Sequence, residues 1–374
     1  MLRLLIRLTA IVIVASLPVP LHAQAPATAP LPPAPPMPAF EQLAAQATQL
    51  AAHASAMAAH AAKWNAMSWR ESRDARQGPE ITERINKSFK VGANGTLDVG
   101  NVSGDITVNE GGTDTIVVDA VKKFRGRDAD AKDQFAKTQV TMEERGAGRL
   151  EVKTVYDRST HNMRTSVDYT ITAPAGTTVY AHSVSGDVKV TNIKGEVRAE
   201  TVSGDVTATN TPGASLVKTV SGNATVSGVV SGNELRVSSI SGDVTVTGAK
   251  VRSIDADSIS GDVHMTSVTC DRATAKSISG DIDFGGGLAK SGHYEFKSQS
   301  GNIQVNLVGA PGFELDANSF SGNVRSDLPI TLRAGESMGG HGPGKKIHGT
   351  HGDGSAQLVL TSFSGDIVIA NARK

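Results

Sequence analysis

The sequence predicts an all-β protein of the single-stranded β-helix, or β-solenoid, class, with about 20 residues per coil. The first observation is a repeated tripeptide, Ser-Gly-Asp or Ser-Gly-Asn, whose copies from Ser185 to Ser321 are 18, 18, 20, 19, 19, 21 and 21 residues apart. The second is the alternation of apolar and polar residues after each copy, as in Val188-Lys189-Val190, which is the period of a β-strand. The third is composition: aromatic residues make up only 4%, which favours a core of thin layers.

The N-terminus predicts export. Arg3 and Arg7 flank an apolar run from Leu8 to Leu17, and Ala23 is a small residue suited to cleavage, so residues 1–23 are expected to be a signal peptide. No later segment approaches the ~20 apolar residues that a bilayer requires, so no transmembrane segment is expected in the mature chain. The protein is therefore expected in the periplasm, at the cell surface or secreted.

Two short segments are expected before the solenoid. Residues 24–38 are almost entirely Ala and Pro, which predicts an extended linker. Residues 39–76 are predicted to form an Ala-rich α-helix, because large apolar residues recur every seven positions at Leu43, Leu50, Met57 and Trp64. Two interpretations of this helix are open: it covers the edge of the first coil, or it forms a coiled coil through which the protein oligomerises.

Residues 80–374 are predicted to form the β-solenoid domain. A second turn signal lies about half a coil from each corner, so each coil is expected to contain two short strands. Coils stacked about 4.8 Å apart would pair each strand with its equivalents above and below. Glycine is expected at a stacked corner because it tolerates positive φ and leaves room for neighbouring backbones. The predicted corner residues are Gly104, Asp105, Gly186, Asp187, Gly204, Asp205, Gly222, Asn223, Gly242, Asp243, Gly261, Asp262, Gly280, Asp281, Gly301, Asn302, Gly322, Asn323, Gly365 and Asp366.

Two parts of this domain depart from the repeat. The segment between Ser103 and Ser185 lacks regular corners and is interpreted as wider coils that carry a helical insertion from Asp128 to Lys137. The step from Ser321 to Ser364 is 43 residues long. It is interpreted as two coils in which one corner has lost its signature.

The repeated corners followed by Val or Ile, the Pro174-Ala175-Gly176-Thr177 turn and the closing run from Gly352 to Ile367 resemble the bacterial adhesin-like family of DUF4097 β-strand repeat proteins. The resemblance covers about residues 90 to 371. It implies a single-stranded β-helix, export to the cell envelope and an adhesin-like role, and it links some members to envelope-stress systems. It implies no catalytic residues.

The row of corner Asp residues has two interpretations. Stacked carboxylates about 5 Å apart repel by roughly 1 kcal/mol per pair in water, so something must offset the repulsion. A ladder of calcium ions could do so. Alternatively, each side chain accepts a hydrogen bond from the backbone of its own corner, as in an Asx-turn. The second interpretation is favoured because Asn223, Asn302 and Asn323 keep the turn bond but lack the charge.

Other motifs predict no chemistry. Gly335-Glu336-Ser337-Met338-Gly339 fits the Gly-x-Ser-x-Gly pattern of hydrolases, but no following helix is predicted to hold the serine over an oxyanion hole. His341, His348 and His351 are close enough to contact a zinc or copper ion, but a solvated Gly-rich loop that replaces one corner is favoured. Cys270, the single cysteine, is expected to be a buried apolar residue. No catalytic, cofactor or metal site is therefore predicted.

The balanced charge, 37 basic against 37 acidic residues, gives no reason to expect nucleic acid as a partner. The sequence favours an exported, non-enzymatic, adhesin-like binding or structural protein that presents a repetitive surface to an envelope polysaccharide or a protein partner. A polar strip is one candidate surface, with basic residues at Lys189, Arg198, Lys218, Arg236 and Lys250. Two alternatives are open: a sensor or regulatory partner in the envelope-stress response, and a polysaccharide-active β-helix enzyme.

Overall fold

The computed structural model describes residues 80–125, 135–146, 148–156, 165–309, 312–332 and 345–372. The predicted signal peptide, linker and Ala-rich helix lie outside these residues. The described chain is all-β, apart from a short helical turn at residues 135–137, and its strands form one solenoid-like sheet around a continuous apolar core. Within this part of the chain, no helix has the length and apolar character needed to cross a membrane.

The described strands have the following bounds in chain order: β1 (Glu80–Lys90), β2 (Thr96–Ser103), β3 (Ile106–Glu110), β4 (Thr115–Arg125), β5 (Gln139–Glu144), β6 (Arg149–Val155), β7 (Thr165–Ala173), β8 (Thr178–Ser185), β9 (Val188–Thr191), β10 (Val197–Ser203), β11 (Val206–Thr209), β12 (Ala214–Lys218), β13 (Ala224–Ser227), β14 (Glu234–Ser238), β15 (Val244–Thr247), β16 (Ser253–Ser260), β17 (Val263–Ser279), β18 (Ile282–Ser300), β19 (Ile303–Leu307), β20 (Phe313–Ser319), β21 (Val324–Ser326), β22 (Thr331–Leu332), β23 (Lys345–His351), β24 (Ala356–Ser364) and β25 (Ile367–Asn371).

The middle of the sheet is a stack of coils, each made of the strand before a Ser-Gly corner and the strand after it. Equivalent strands pair in parallel and in register, so the corner serines pair from coil to coil. Ser185 pairs with Ser203, and Ser203 pairs with Ser221. The strands after the corner follow the same register, with Val188 opposite Val206 and Val206 opposite Ala224. Because successive side chains of a strand point to opposite faces, every second residue enters the core.

The second turn of several coils uses residues in the left-handed conformation. Asn192, Asn210, Gly228 and Gly248 follow the second strands of successive coils, Ser267 stands at the equivalent place within β17, and all five have φ between 50 and 68°. Asn tolerates this conformation better than most non-glycine residues, and glycine adopts it freely. The turn therefore recurs at the same place although its sequence varies.

The first end of the sheet corrects the interpretation of residues 103 to 185 as wider coils. Here β4 pairs antiparallel with β1 and β7, and β5 pairs antiparallel with β6. Strand β6 pairs in parallel with β2, and β7 pairs in parallel with β3. Both lie on the side of β2 and β3 that faces away from the rest of the stack. The stack therefore ends in antiparallel strands. Of the predicted helical insertion, only residues 135–137 are described, and they are helical.

The second end corrects the interpretation of the 43-residue step as two coils with a lost corner. Ser300 pairs with Ser364, and β24 pairs on its other side with β20, where Ser362 lies opposite Ser319. The corner at Ser364 is therefore inserted between those at Ser300 and Ser321. Beyond β20 the described strands are antiparallel, since β23 pairs with β20 and β22 pairs with β23, whereas β21 pairs in parallel with β25.

Candidate functional site

The glycines of the corner row lie against the backbone of the neighbouring coil. A Cβ atom built on any of them would lie 2.1 to 2.3 Å from a carbonyl oxygen, which for all but the first is that of the adjacent corner glycine. No side chain fits at this distance, so close approach of two backbones explains the repeated glycine. The row consists, in spatial order, of Gly104, Gly186, Gly204, Gly222, Gly242, Gly261, Gly280, Gly301, Gly365 and Gly322.

The Asp and Asn residues after these glycines form a second row. Each Oδ1 accepts a hydrogen bond from the backbone N–H of the Asp or Asn in the next corner, as Asp187 does from Asp205 and Asp205 from Asn223. These bonds are 2.7 to 3.1 Å long and run without a break from Asp168 to Asn323. The predicted bond to the side chain's own corner is therefore replaced by a bond between coils. An amide oxygen accepts it as well as a carboxylate does, which explains the Asn positions.

A buried hydroxyl row completes the corner. The Ser or Thr two positions before a corner serine donates a hydrogen bond to the carbonyl oxygen of the preceding corner glycine, as Thr219 does to Gly204 at 2.9 Å. Eight such bonds are 2.8 to 3.2 Å long. At the first corner, Asn101 donates to Gly104 instead, and the buried hydroxyl of Ser183 has no partner among the described residues. The corner residues are therefore engaged in holding coils together.

Only some of the residues considered for metal or nucleophilic chemistry belong to the described part of the chain. His341 and the Gly335–Gly339 motif lie outside the described residues. His348 and His351 belong to strand β23 rather than to a loop, and their Nδ1 atoms contact Asp316 and the carbonyl of Pro329 respectively. In the described part of the chain, no group of three or more His, Cys, Asp or Glu side chains is arranged to hold a metal ion.

Cys270 is a buried residue of strand β17 and lies opposite Leu288 of β18. Burial disfavours the charged thiolate and raises the pKa of Cys270 to about 12. The thiol is therefore protonated at neutral pH and is a poor nucleophile. Its backbone carbonyl accepts a hydrogen bond from the buried hydroxyl of Tyr294, which fixes this part of the aromatic core.

The predicted basic strip is divided among three parts of the surface. Lys189 lies on the outer side of a strand after the corner, whereas Arg198, Lys218 and Arg236 lie on the outer side of strands before it. Lys250 lies near the second turn. Arg198 pairs with Glu196 at 2.8 Å, and Arg236 pairs with Asp255 at 3.1 Å. The face formed by the strands before the corner is therefore a surface of paired opposite charges, where each exposed pair contributes little stability.

The face that contains Lys189 is separate from the one that contains the arginines, and the sequence prediction did not distinguish the two. The outer side of the strands after the corner carries two columns of polar side chains, mostly threonines, in six adjacent coils and in the neighbouring strand β7. The signal in the sequence was Thr-x-Thr after the corner, which is visible at Thr207-Ala208-Thr209 and Thr245-Val246-Thr247. We call this surface the hydroxyl face. Its first column is Thr170, Thr107, Lys189, Thr207, Thr225, Thr245 and His264, and its second is Thr172, Asn109, Thr191, Thr209, Ser227, Thr247 and Thr266.

The residue immediately before a corner serine is apolar at every corner except Ser300, where it is Gln299. It is Val or Ile through most of the stack, as at Val202 and Ile240, but Phe at Phe363 and Phe320. These two rings stack with centroids 4.8 Å apart and planes at 6°, and they are 39% and 43% exposed. A cross-strand aromatic pair stabilises neighbouring strands, and here it joins the last two parallel coils.

These features define an all-β, solenoid-like protein whose corners are built to stack and whose outer faces repeat from coil to coil. The family model described as Toastrack DUF4097 matches residues 94–370, so the chain belongs to this family. The match begins just before β2 and ends in β25, and so includes the whole corner row. No curated protein matches the chain.

The solved structures that match the chain come from several bacteria. A putative adhesin from Bacteroides fragilis is 15% identical with a TM-score of 0.38, and covers 77% of this chain and 97% of its own. A putative cell adhesion protein from Clostridium sporogenes is 12% identical with a TM-score of 0.22, and covers 78% and 100%. A putative lipid binding protein from Parabacteroides distasonis is 13% identical with a TM-score of 0.37, and covers 78% and 97%.

Proposed function

We propose that this protein is an exported, non-enzymatic, adhesin-like module whose coils of about 20 residues present a repetitive surface to a polymer of the cell envelope. The observation that carries the proposal is the unbroken corner. Three rows hold the coils in register: the corner glycines, the Asp and Asn residues that follow them, and the buried Ser and Thr residues. Equivalent outward side chains therefore stay in line over many coils. A polymer with its own repeat can contact such a surface at several equivalent points, so weak contacts add up to useful avidity.

The corner chemistry supports a binding role over a catalytic one. Catalytic acids, bases and nucleophiles generally sit together in a cleft and have strongly perturbed pKa values. In this chain, the Asp side chains of the corner row accept bonds from the next coil, and the thiol of Cys270 is held in its protonated form by burial. These polar groups therefore serve stacking, and what remains outside is a regular polar surface.

The proposal is tested by a binding screen of the mature chain, residues 24–374, against glycans and fractionated cell envelopes. Retention on an envelope polysaccharide without release of shorter products is expected. Release of oligosaccharides would contradict the non-enzymatic role and favour a polysaccharide-active enzyme. Localisation is tested by fractionating cells that express the full chain, where a cytoplasmic protein that keeps residues 1–23 would contradict export.

A further inference from the structure

The hydroxyl face has a composition unlike the other outer faces. Eleven of its fourteen positions are Thr or Ser, and Lys189 and His264 are the only basic residues among them. The face formed by the strands before the corner instead carries paired Arg, Glu and Asp residues. The hydroxyl face is therefore mostly uncharged, whereas the face formed by the strands before the corner is charged.

The geometry of the hydroxyl face follows from strand pairing. Thr207 lies opposite Thr225, and Thr225 lies opposite Thr245, so their side chains stand about 4.8 Å apart along the stack. The second column is two residues further along each strand, or about 6.7 Å away, and the seven adjacent strands extend the face over about 29 Å. The result is a regular two-column array of hydroxyl and methyl groups.

The central hydroxyls of this array are available to a ligand. In the part of the chain that the structure describes, the side chains of Thr207, Thr225 and Thr245 have no hydrogen-bond partner, and all three are half-buried by their neighbours rather than covered. A hydroxyl can both donate and accept. Threonine is also restricted at χ1 because it is β-branched, so its side chain loses little conformational entropy when a ligand binds.

The surroundings of the face select against an anionic ligand. The Asp and Asn row runs along one side of the array, two residues before the first column, and Asp187, Asp205, Asp243 and Asp262 in this row lie in coils of the hydroxyl face. Each uses Oδ1 in the bond between coils and is partly or fully exposed to solvent. A polymer with carboxylates or phosphates would meet like charges here, whereas a neutral one would not.

From these observations we infer that the hydroxyl face binds a neutral, linear polysaccharide that lies along the stack axis. Sugar hydroxyls exchange hydrogen bonds with the threonine hydroxyls, and the C–H faces of the sugar rings contact the threonine methyl groups. The array lacks the large aromatic anchors of a protein–protein hot spot, which disfavours a folded protein as its partner. This inference rests on the proposed function, since it names the surface and the polymer class that the adhesin-like role would use.

The test uses the full mature chain and a pair of double variants. Thr225→Val/Thr245→Val removes two adjacent hydroxyls of the face and keeps a β-branched side chain of nearly the same shape. The matched control is Thr274→Val/Thr361→Val, because both threonines are half-buried outward residues on strands before the corner. The probes are neutral β-1,4-linked glucose and N-acetylglucosamine oligomers of graded length, with polygalacturonate as the anionic counterpart.

Affinity of the unaltered chain for the neutral oligomers is expected to rise with length and then level off when the oligomer spans the face. The Thr225→Val/Thr245→Val variant should lose at least tenfold in affinity, while the control stays within twofold. Polygalacturonate should bind more weakly than the neutral oligomers, most clearly at low salt.

The outcomes separate the site from the function. If the unaltered chain binds neutral oligomers and the Thr225→Val/Thr245→Val variant binds them equally well, the hydroxyl face is the wrong site and the adhesin-like role stands. If the unaltered chain binds envelope material but no neutral polysaccharide, the polymer class is wrong. If it instead depresses the freezing point of water by a non-colligative amount that the variant loses, the array orders water and the inference is overturned.

Discussion

The two halves of the coil stack use the same corners around different cores. In the first half, core positions in one column are occupied by Val190, Ala208, Val226 and Val246, whereas the same column reaches Phe284 two coils later. A neighbouring column changes from Ala275 to Phe296 in one step. The corner rows continue unchanged through both halves. Backbone stacking is therefore specified independently of core volume.

The wider core is accommodated locally. Phe284 contacts both Phe296 and Tyr294, with ring centroids 5.1 and 5.8 Å apart. Gly286 follows in the same strand, and a Cβ there would lie 3.1 Å from the Phe284 ring and 2.2 Å from the carbonyl oxygen of Val268. The missing side chain leaves room for the ring and for the adjacent backbone. Large residues therefore enter a thin core where a glycine compensates for them.

The largest effect is expected from emptying the aromatic core. Phe296→Ala should destabilise the protein by about 4 kcal/mol, because it removes a fully buried ring and leaves a cavity. Val246→Ala, at a fully buried position in the first half, should cost about 2 kcal/mol because fewer carbon atoms are lost. Urea unfolding followed by circular dichroism measures both. Equal losses would show that the two halves are packed alike.

A substitution at the corner should be nearly as damaging, and independent of core volume. A Cβ at Gly222 would lie 2.1 Å from the carbonyl oxygen of Gly204, and φ is +145°, so Gly222→Ala should cost about 3 kcal/mol. Gly232 provides the matched control because it stands in another Ser-Gly-Asn tripeptide, outside the corner row. Nothing lies within 4 Å of a Cβ there, so Gly232→Ala should change stability by less than about 0.5 kcal/mol. Similar losses in both variants would contradict the stacking explanation.

The same pair of glycines shows what the sequence can predict. The recurring strands were predictable because many Ser-Gly tripeptides recur in phase with apolar–polar alternation, and the off-phase copy at Ser231 stands outside the row. The spatial order of the end coils was not predictable. A corner carries the same three residues wherever it stacks, so the sequence does not reveal that Ser364 lies between Ser300 and Ser321.

The candidate site was predicted only in part. Period-two alternation identifies the residues that point outward, but it does not show whether two outward basic residues lie on the same face of the stack. Lys189 and Arg198 were therefore grouped although they lie on different faces. The sequence also did not show which corner supplies the N–H that each Asp or Asn binds. The same side chain can accept a hydrogen bond from its own corner or from the next one.

A smaller effect, dependent on pH, is expected on the charged face of the first half. Asp257 is half-buried, its Oδ1 has no hydrogen-bond partner among the described residues, and desolvation raises its pKa from 3.8 to about 6. The folded protein therefore holds a proton that the unfolded chain releases, so stability falls as pH rises from about 4 to 6. Asp257→Asn should remove this slope and stabilise the protein at pH 7 by about 1 to 2 kcal/mol. Measuring the free energy of unfolding of both proteins at several pH values checks this prediction. A pH dependence that is the same in Asp257→Asn as in the unaltered protein would contradict it.

The smallest effects are expected in the Asp and Asn row, where both halves should respond alike. The Oδ1 atoms of Asp205 and Asp281 accept bonds of 2.7 Å from Asn223 and Asn302 respectively. Replacement by Ala should cost about 1 kcal/mol at either position, because one hydrogen bond between coils is lost at an exposed corner. Replacement by Asn keeps the acceptor and should change stability by less than about 0.5 kcal/mol. Thermal unfolding at pH 7 in low and high salt distinguishes these outcomes. If Asn were as damaging as Ala, the carboxylate charge rather than the oxygen acceptor would hold the row, and bound cations would have to be considered for both halves.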